Sequence, residues 1–197
     1  GLTLSANYDE GHSTYRIYNN FVLSEDFGVQ VLFAGLKVEI ANNNFFTRGN
    51  GSGAAIALNT YTVSEIYNKV SVLNNNFYGE RSGDHGVIMY RNPDSLVVDT
   101  IQFDHNNYFS PGDITSWRIL DQQYIDLSLS ELQTTYGLET NGLSIDPIYQ
   151  SETDLHIGNA GLQNQGIPID YITVDYDGET REGDPDIGAD ELRGFVN

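Results

Sequence analysis

The densest set of candidate metal ligands is an acidic run near the end of the chain, in the stretch VDYDGETREGDPDIGADE. Carboxylate oxygens are the ligands that Ca²⁺ prefers, and the ion takes about six to eight of them. The spacing is not that of an EF-hand loop. The sequence indicates no other cofactor, so Ca²⁺ is the one that we predict. The candidate ligands are Asp175, Asp177, Asp184, Asp186, Asp190 and Glu191.

The same acidic run has a structural interpretation. It can form a capping hairpin in which Arg181 pairs with a buried carboxylate such as Asp186. A hairpin of this kind, placed over the last repeat, would prevent end-to-end stacking, which the end of any repeat array has to prevent. The sequence leaves both interpretations open.

Histidine beside aspartate is a pairing that acid–base catalysis uses, and Asp84-His85 and Asp104-His105 are two such doublets. Adjacent residues on a strand point to opposite faces, so neither doublet is expected to align a carboxylate with an imidazole. His156 is expected to point outward from its strand. Because no Lys/Arg base or Asp pair recurs with the spacing of a lyase or hydrolase, we predict no catalytic residues.

Aromatic side chains are the candidate carbohydrate-binding residues. Their flat faces can stack on the apolar face of a sugar ring, although they could equally be ordinary surface aromatics. We predict a sugar-stacking platform from Tyr61, Tyr67, Tyr90 and Trp117.

A repeat must position these residues. Asn43-Asn44-Phe45, Asn75-Asn76-Phe77 and Asn106-Asn107-Tyr108 recur at intervals of 32 and 31 residues. A weaker copy, Asn19-Asn20-Phe21, lies 24 residues before the first of them. Apolar residues alternate with period two ahead of each strong copy, which is typical of a strand. These residues are Val38 and Ile40, Val70 and Val72, and Ile101 and Phe103.

Stacked copies of such a repeat predict a ladder of asparagine side chains. Asparagine tolerates the left-handed backbone of a sharp bend, and its amide can bond to the same amide one repeat away. We expect Asn76 at the centre of the ladder and the aromatic residues stacked inside. The ladder residues are Asn43, Asn44, Asn75, Asn76, Asn106 and Asn107.

Composition limits the classes of partner. A formal net charge of -19 opposes binding to nucleic acid, and no apolar run is long enough to insert into a membrane. We expect one domain, with β-helix coils over 1–125 and a terminal coil, short helix and capping segment over 126–197. Ser128 and Glu131 form a capping-box pattern that predicts a helix over Leu129 to Tyr136. Strands are predicted over Gly142 to Tyr149 and Asp154 to Gly158.

The last third also carries a recognisable order of motifs. These are SLSELQTTYG, Ile145 to Tyr149 (IDPIY), Asp154 to Ile157 (DLHI) and Pro185 to Glu191 (PDIGADE). In these motifs the chain resembles the C-terminal portion of pectin-lyase-like β-helix proteins of the choice-of-anchor Q type. A departure is Ala160 to Gly166, where that family usually has Ser-Pro before a glycine.

The resemblance implies an all-β, right-handed parallel β-helix and a bacterial protein that is secreted or displayed on the cell surface. The start at Gly1, without Met or a leader, predicts a processed or partial chain, and we expect that any sorting module after Asn197 is absent or was removed. We therefore predict a non-catalytic structural or glycan-binding segment, adhesin-like, whose partner is a polysaccharide or another cell-surface module. The alternative is the C-terminal part of a polysaccharide lyase or glycoside hydrolase with its catalytic coils upstream.

Overall fold

A computed structural model describes residues 2–5, 14–32, 37–48, 53–59, 69–81, 83–89, 101–111, 115–121 and 123–192. Within these ranges the chain is an all-β protein with one short helix. The strands are β1 (Leu2–Ser5), β2 (Thr14–Tyr18), β3 (Phe21–Ser24), β4 (Phe27–Leu32), β5 (Lys37–Ala41), β6 (Asn44–Thr47), β7 (Ala54–Asn59), β8 (Lys69–Leu73), β9 (Asn76–Gly79), β10 (His85–Met89), β11 (Ile101–Asp104), β12 (Asn107–Phe109), β13 (Thr115–Asp121) and β14 (Gln123–Leu127).

Every third strand belongs to the same sheet. The first sheet has the order β1-β4-β7-β10-β13-β14, the second β11-β8-β5-β2 and the third β12-β9-β6-β3. All pairs are parallel except β13 with β14. One repeat thus contributes a strand to each of three sheets, and the Asn-Asn-aromatic triplet includes the start of the third strand. The expected all-β, parallel architecture is confirmed.

The register agrees with the predicted period-two pattern. Val38 pairs with Val70 and Ile40 with Val72, and all four are buried. The weak upstream copy is shifted by one residue from the predicted alignment, because Val22, not Phe21, pairs with Phe45. The true interval there is 23 residues, as the bond between Asn20 and Asn43 shows.

Aromatic rings fill the core between the sheets. Phe45, Phe77 and Tyr108 form a column with centroid separations of 5.3 and 5.0 Å. Trp117, wholly buried, packs edge-on against Phe103 at 4.6 Å. Burial of rings of this size is a major source of stability for a repeat that cannot bury its inner face alone.

The predicted helix is present but short. The single α-helical turn α1 (Leu129–Glu131) begins with the predicted capping box, in which Ser128 and Glu131 bond reciprocally. A wider π-helical turn, Leu132–Tyr136, follows and ends at Gly137 in the left-handed region. Leu132 packs into the core, so this helical part covers the end of the stack. Among the described residues no helix combines the length and apolar character of a membrane span.

Residues 143–192, the last of the described ranges after the helical part, form what we name the return segment. It runs back across the row of asparagine turns, and its only bridges within the described residues join Leu143 to Asn107 and Val174 to Thr180. The two strands predicted in 142–149 and 154–158 are therefore wrong. Leu143 bonds to the backbone of Asn106 and Tyr108 at β12, and beyond it the return segment bonds mainly to asparagine side chains of the repeats. Its contacts are Ile145 with Asn107, Ile167 with Asn74, Leu155 and Ala189 with Asn44, and Val174 with Asn19.

These contacts place the PDIGADE ending beside the middle repeats. Gly188 donates its backbone N–H to the Asn74 carbonyl at 2.8 Å, and Ala189 donates to Asn44 Oδ1 at 3.2 Å. The sequence interpretation that puts this ending across the last repeat differs from the structure. A second small core of Ile157, Leu162 and Ile187 holds the return segment together.

Candidate functional site

Each asparagine turn has a left-handed residue immediately before the ladder asparagine. The φ angles are 53° at Asn19, 50° at Asn42, 56° at Asn74 and 55° at His105. Asparagine tolerates this region better than other residues because its short side chain bonds locally. The predicted bend is present, but it falls one residue earlier than the asparagines assigned to it.

The ladder runs through the first asparagine of each pair. Asn43 Nδ2 donates to Asn75 Oδ1 at 2.9 Å, and Asn75 Nδ2 donates to Asn106 Oδ1 at 3.0 Å. Asn20 extends the row by donating to Asn43 at 2.9 Å. Each Oδ1 also accepts the backbone N–H of the preceding ladder asparagine. All these bonds from one ladder asparagine to the next point the same way along the stack.

The ladder ends on a buried carboxylate, that of Glu139. Asn106 Nδ2 donates to Glu139 Oε1 at 2.8 Å, and its backbone N–H donates to Oε2 at 3.3 Å. The Tyr108 hydroxyl adds a third donor at 2.6 Å. Burial raises the pKa of Glu139 to about 7, while these donors oppose the shift. The sequence reasoning missed Glu139, although it follows Asn106 by 33 residues, close to one repeat.

Substitution of Glu139 by Gln is expected to remove one component of the pH dependence of stability. A raised pKa means that the folded state binds more protons than the unfolded state between about pH 4.5 and 7. The wild-type protein therefore loses stability as the pH rises through this window. At about 1.4 kcal/mol per unit, the loss amounts to roughly 3 kcal/mol relative to the variant. Urea unfolding at a series of pH values measures it.

The matched control is Glu182→Gln, which changes an exposed carboxylate of the return segment. Its free energy of unfolding, plotted against pH, should run parallel to that of the wild type. A Glu139→Gln curve that also stays parallel to the wild type would show that Glu139 does not titrate in this window.

The second asparagines of the pairs face outward, toward the return segment. Asn44 Nδ2 donates to the Leu155 carbonyl at 2.8 Å, and Asn107 Nδ2 donates both to Ile145 and to Asn76 Oδ1. Asn76 Nδ2 has no hydrogen-bond partner among the described residues. The row therefore holds the chain's own return segment. Since these asparagines are wholly buried, they present no surface to a ligand.

Three of the six predicted Ca²⁺ ligands are occupied by the protein itself. Asp175 accepts the backbone N–H groups of Asp177, Glu179 and Glu191, and Asp186 accepts those of Asn164 and Leu192. Glu191 forms an ion pair with the buried Arg181. Asp184 is exposed. The structure does not bring the six carboxylates together, and Arg181 pairs with Glu191 instead of with Asp186.

The other two, Asp177 and Asp190, lie beside His156. The ligand atoms of this His156–Asp177–Asp190 cluster lie within 4.8 Å of one another, and His156 Nε2 is 3.2 Å from Asp177 Oδ2. Asp154 bonds to the other ring nitrogen of His156. Desolvation raises the pKa of Asp190 to about 6, and neighbouring carboxylates add to the shift. An open depression adjoins the cluster.

Sequence reasoning assigned His156 a surface role and placed the two aspartates in a different site. Residue spacing could not reveal this cluster, because His156 and Asp177 are 21 residues apart in a return segment that has no regular period. Of the other doublets, His105 and Asp104 approach to 3.3 Å, since the left-handed turn removes the expected strand alternation.

The predicted sugar platform divides into two parts. Tyr61, Tyr67 and Tyr90 lie outside the described residues. Trp117 is wholly buried, and its indole N–H donates to the Tyr108 hydroxyl at 3.2 Å, so its assignment to a surface platform is wrong. Side chains along this strand alternate between the two faces of the sheet, and that of Trp117 points into the core.

A different aromatic surface lies on the outer face of the second sheet. The rings of Tyr18 and Tyr171 meet edge to face with centroids 5.7 Å apart. The Arg16 guanidinium lies 4.2 Å from the centre of the Tyr171 ring and pairs with Glu39 at 2.8 Å. Sequence reasoning missed this surface, because Tyr171 belongs to the return segment and reaches the sheet only through tertiary packing.

Comparisons with family models, curated proteins and solved structures give no match for this chain. The resemblance to choice-of-anchor Q proteins stays a prediction.

Proposed function

We propose that the chain is a right-handed parallel β-helix that serves a secreted or cell-surface bacterial protein as a non-catalytic, adhesin-like structural and glycan-binding module. Three parallel sheets that each take every third strand support the β-helix. Parallel strands joined by crossovers are right-handed in nearly all proteins, which supports the handedness. Export and the bacterial surface are supported by the sequence resemblance.

The observation that supports a non-catalytic role is that the buried polar side chains form hydrogen bonds within the protein. Asn43, Asn75 and Asn106 direct their amides to each other and to the backbone of neighbouring repeats. Such bonds are made only when the repeats are stacked in one register, so their effect is to fix that register. The predicted ligands Asp175 and Asp186 likewise bond to backbone N–H groups.

The surface formed by Arg16, Tyr18, Glu39 and Tyr171 supports glycan binding. Tyr18 remains 41% exposed, so part of its ring is open to a sugar. The Arg16–Glu39 pair, joined by Lys37 at 2.7 Å from Glu39, adds donors and acceptors for hydroxyl groups beside the rings. The charge of -19 opposes polyanionic chains, so we expect a neutral polysaccharide.

Substitution of Tyr18 or Tyr171 by Ala is expected to weaken binding of neutral oligosaccharides at least about fivefold, since loss of one stacked ring removes about 1 kcal/mol or more. A glycan array identifies the oligosaccharide, and titration calorimetry with it measures the affinity. Tyr124→Ala is the matched control, because Tyr124 is 74% exposed on β14, away from this surface. Melting curves verify that each variant is folded.

Equal affinity in all three variants would contradict the assignment of this surface, and no binding on the array would contradict glycan recognition. The alternative, part of a polysaccharide lyase or glycoside hydrolase, predicts time-dependent release of reducing ends or unsaturated product. Such release, lost in an Asp190→Asn variant, would contradict the non-catalytic role.

A further inference from the structure

The His156 ring is held so that one nitrogen faces the cluster. Asp154 bonds to Nδ1, and the N–H on that side fixes the ring orientation. Nε2 then points toward Asp177 Oδ2 at 3.2 Å. A carboxylate that orients a histidine in this way is the usual second shell of a metal-bound histidine. Phe21 packs edge-on against the ring at 4.8 Å and limits its rotation.

The cluster carries more negative charge than its own cation can balance. Asp154, Asp177 and Asp190 surround the single imidazole, and Asp175 and Glu179 add negative potential at Asp190. With His156 neutral, as a metal ligand must be, the three closest carboxylates carry three negative charges. A divalent cation would balance two of them.

Within the described part of the chain, the Asp190 carboxylate accepts no hydrogen bond, although the residue is only 7% exposed. Buried carboxylates are ordinarily paired or hydrogen-bonded, as Asp175 and Asp186 are here. Because Asp190 lines the depression beside His156 and Asp177, its free oxygens face the place where a cation would lie.

We propose that His156 Nε2, Asp177 and Asp190 bind a divalent transition-metal ion of the Zn²⁺ class, with Asp154 as a positioning residue. Histidine nitrogen and carboxylate oxygen are both ligands that Zn²⁺ takes in proteins, and the open depression leaves a fourth position for water or another oxygen ligand. Tetrahedral bonds of about 2.0–2.2 Å place ligand atoms about 3.4 Å apart. Side-chain movements of about an ångström bring the present atoms to that geometry.

The ligand set favours Zn²⁺ over the Ca²⁺ that the acidic run suggested. Ca²⁺ takes about six to eight oxygens and seldom a histidine nitrogen. Two of the remaining acidic candidates, Asp175 and Asp186, already accept backbone N–H groups. A metal bound here joins residues 154–157, the 174–180 hairpin and the PDIGADE ending, three parts of the return segment that are distant in sequence.

Titration of the metal-free protein with Zn²⁺ is expected to show one ion bound per chain, with a rise in melting temperature that EDTA reverses. Co²⁺ added to the same protein should give visible d–d absorption, which Zn²⁺ displaces. Asp190→Asn keeps the size of the side chain and is expected to weaken Zn²⁺ binding at least about tenfold. Asp154→Asn should weaken it about 10–100-fold through loss of ring orientation.

Asp184→Asn is the matched control, since Asp184 is an exposed acidic residue immediately before the PDIGADE ending and lies outside the cluster. It should bind Zn²⁺ as the wild type does. Absence of Zn²⁺ binding, or binding that is equal in Asp190→Asn and Asp184→Asn, would overturn the proposal. A response to Ca²⁺ but not to Zn²⁺ would overturn it as well. Glycan binding at Tyr18 and Tyr171 is measured separately, so the two proposals fail independently.

Discussion

Replacement of Asn75 by Ala is expected to lower the free energy of unfolding by about 2–4 kcal/mol. The Asn75 side chain donates to Asn106, Leu73 and Ile40, and it accepts both the backbone N–H and the amide of Asn43. The substitution leaves the buried backbone N–H of Asn43 without an acceptor and opens a small polar void. An unsatisfied buried donor alone costs about 1–3 kcal/mol. Equilibrium unfolding in urea measures the difference.

Asn76→Ala is the matched control for this substitution, although the sequence interpretation places Asn76 at the centre of the ladder. Both side chains are wholly buried, but among the described residues Asn76 Nδ2 has no hydrogen-bond partner and its Oδ1 accepts one bond, from Asn107. We expect a loss of about 1 kcal/mol for Asn76→Ala. If the two substitutions cost the same, buried volume and not the ladder would determine the stability of this turn.

Gly188→Ala is expected to destabilise the protein by about 3–5 kcal/mol and to release part of the return segment. Gly188 has a φ of 116°, which residues with a Cβ rarely adopt. An added Cβ would overlap Asn44 Oδ1 and lie 2.6 Å from Ile157 Cδ1. The bonds of Gly188 to Asn74 and Asn42 would be strained by any shift that relieves the overlap. Urea unfolding gives the stability, and hydrogen exchange reports on residues 154–192.

Gly183→Ala separates backbone strain from steric overlap. Gly183 also has a positive φ, 67°, but an added Cβ there meets no atom within 4 Å. Its substitution should cost only about 1 kcal/mol. A Gly188→Ala variant with wild-type exchange in residues 154–192 would show that the return segment is not anchored at Gly188.

The sequence predicted the part of the fold that repeats. Period-two alternation and the spacing of the asparagine pairs led to parallel strands, a buried aromatic column and asparagines close to one another. These features could be predicted because each repeat contacts its neighbours in the same way, so the same local pattern recurs several times in the sequence. The weak copy at Asn19 was misaligned because Phe21 imitates the core aromatic, while Val22 occupies that position.

The return segment was not predictable by the same reasoning. Its backbone partners are the side chains of Asn44, Asn74 and Asn107, which lie 38 to 145 residues away along the chain. No periodicity describes such contacts. The acidic residues of the ending look alike in the sequence, yet Asp175 is fully hydrogen-bonded and Asp190 is not. Only tertiary packing separates a structural carboxylate from a candidate ligand.

The single direction of the asparagine ladder has a consequence for how the protein can change in length. Every inner member, such as Asn43 or Asn75, both accepts from one neighbour and donates to the next, so a duplicated repeat inserted between them continues the row. Glu139 closes it, because its carboxylate accepts from Asn106 and Tyr108 but carries no N–H with which to continue the row. Gene duplication or engineered insertion is therefore accommodated within the array, whereas a repeat appended after Glu139 would find no donor to continue from.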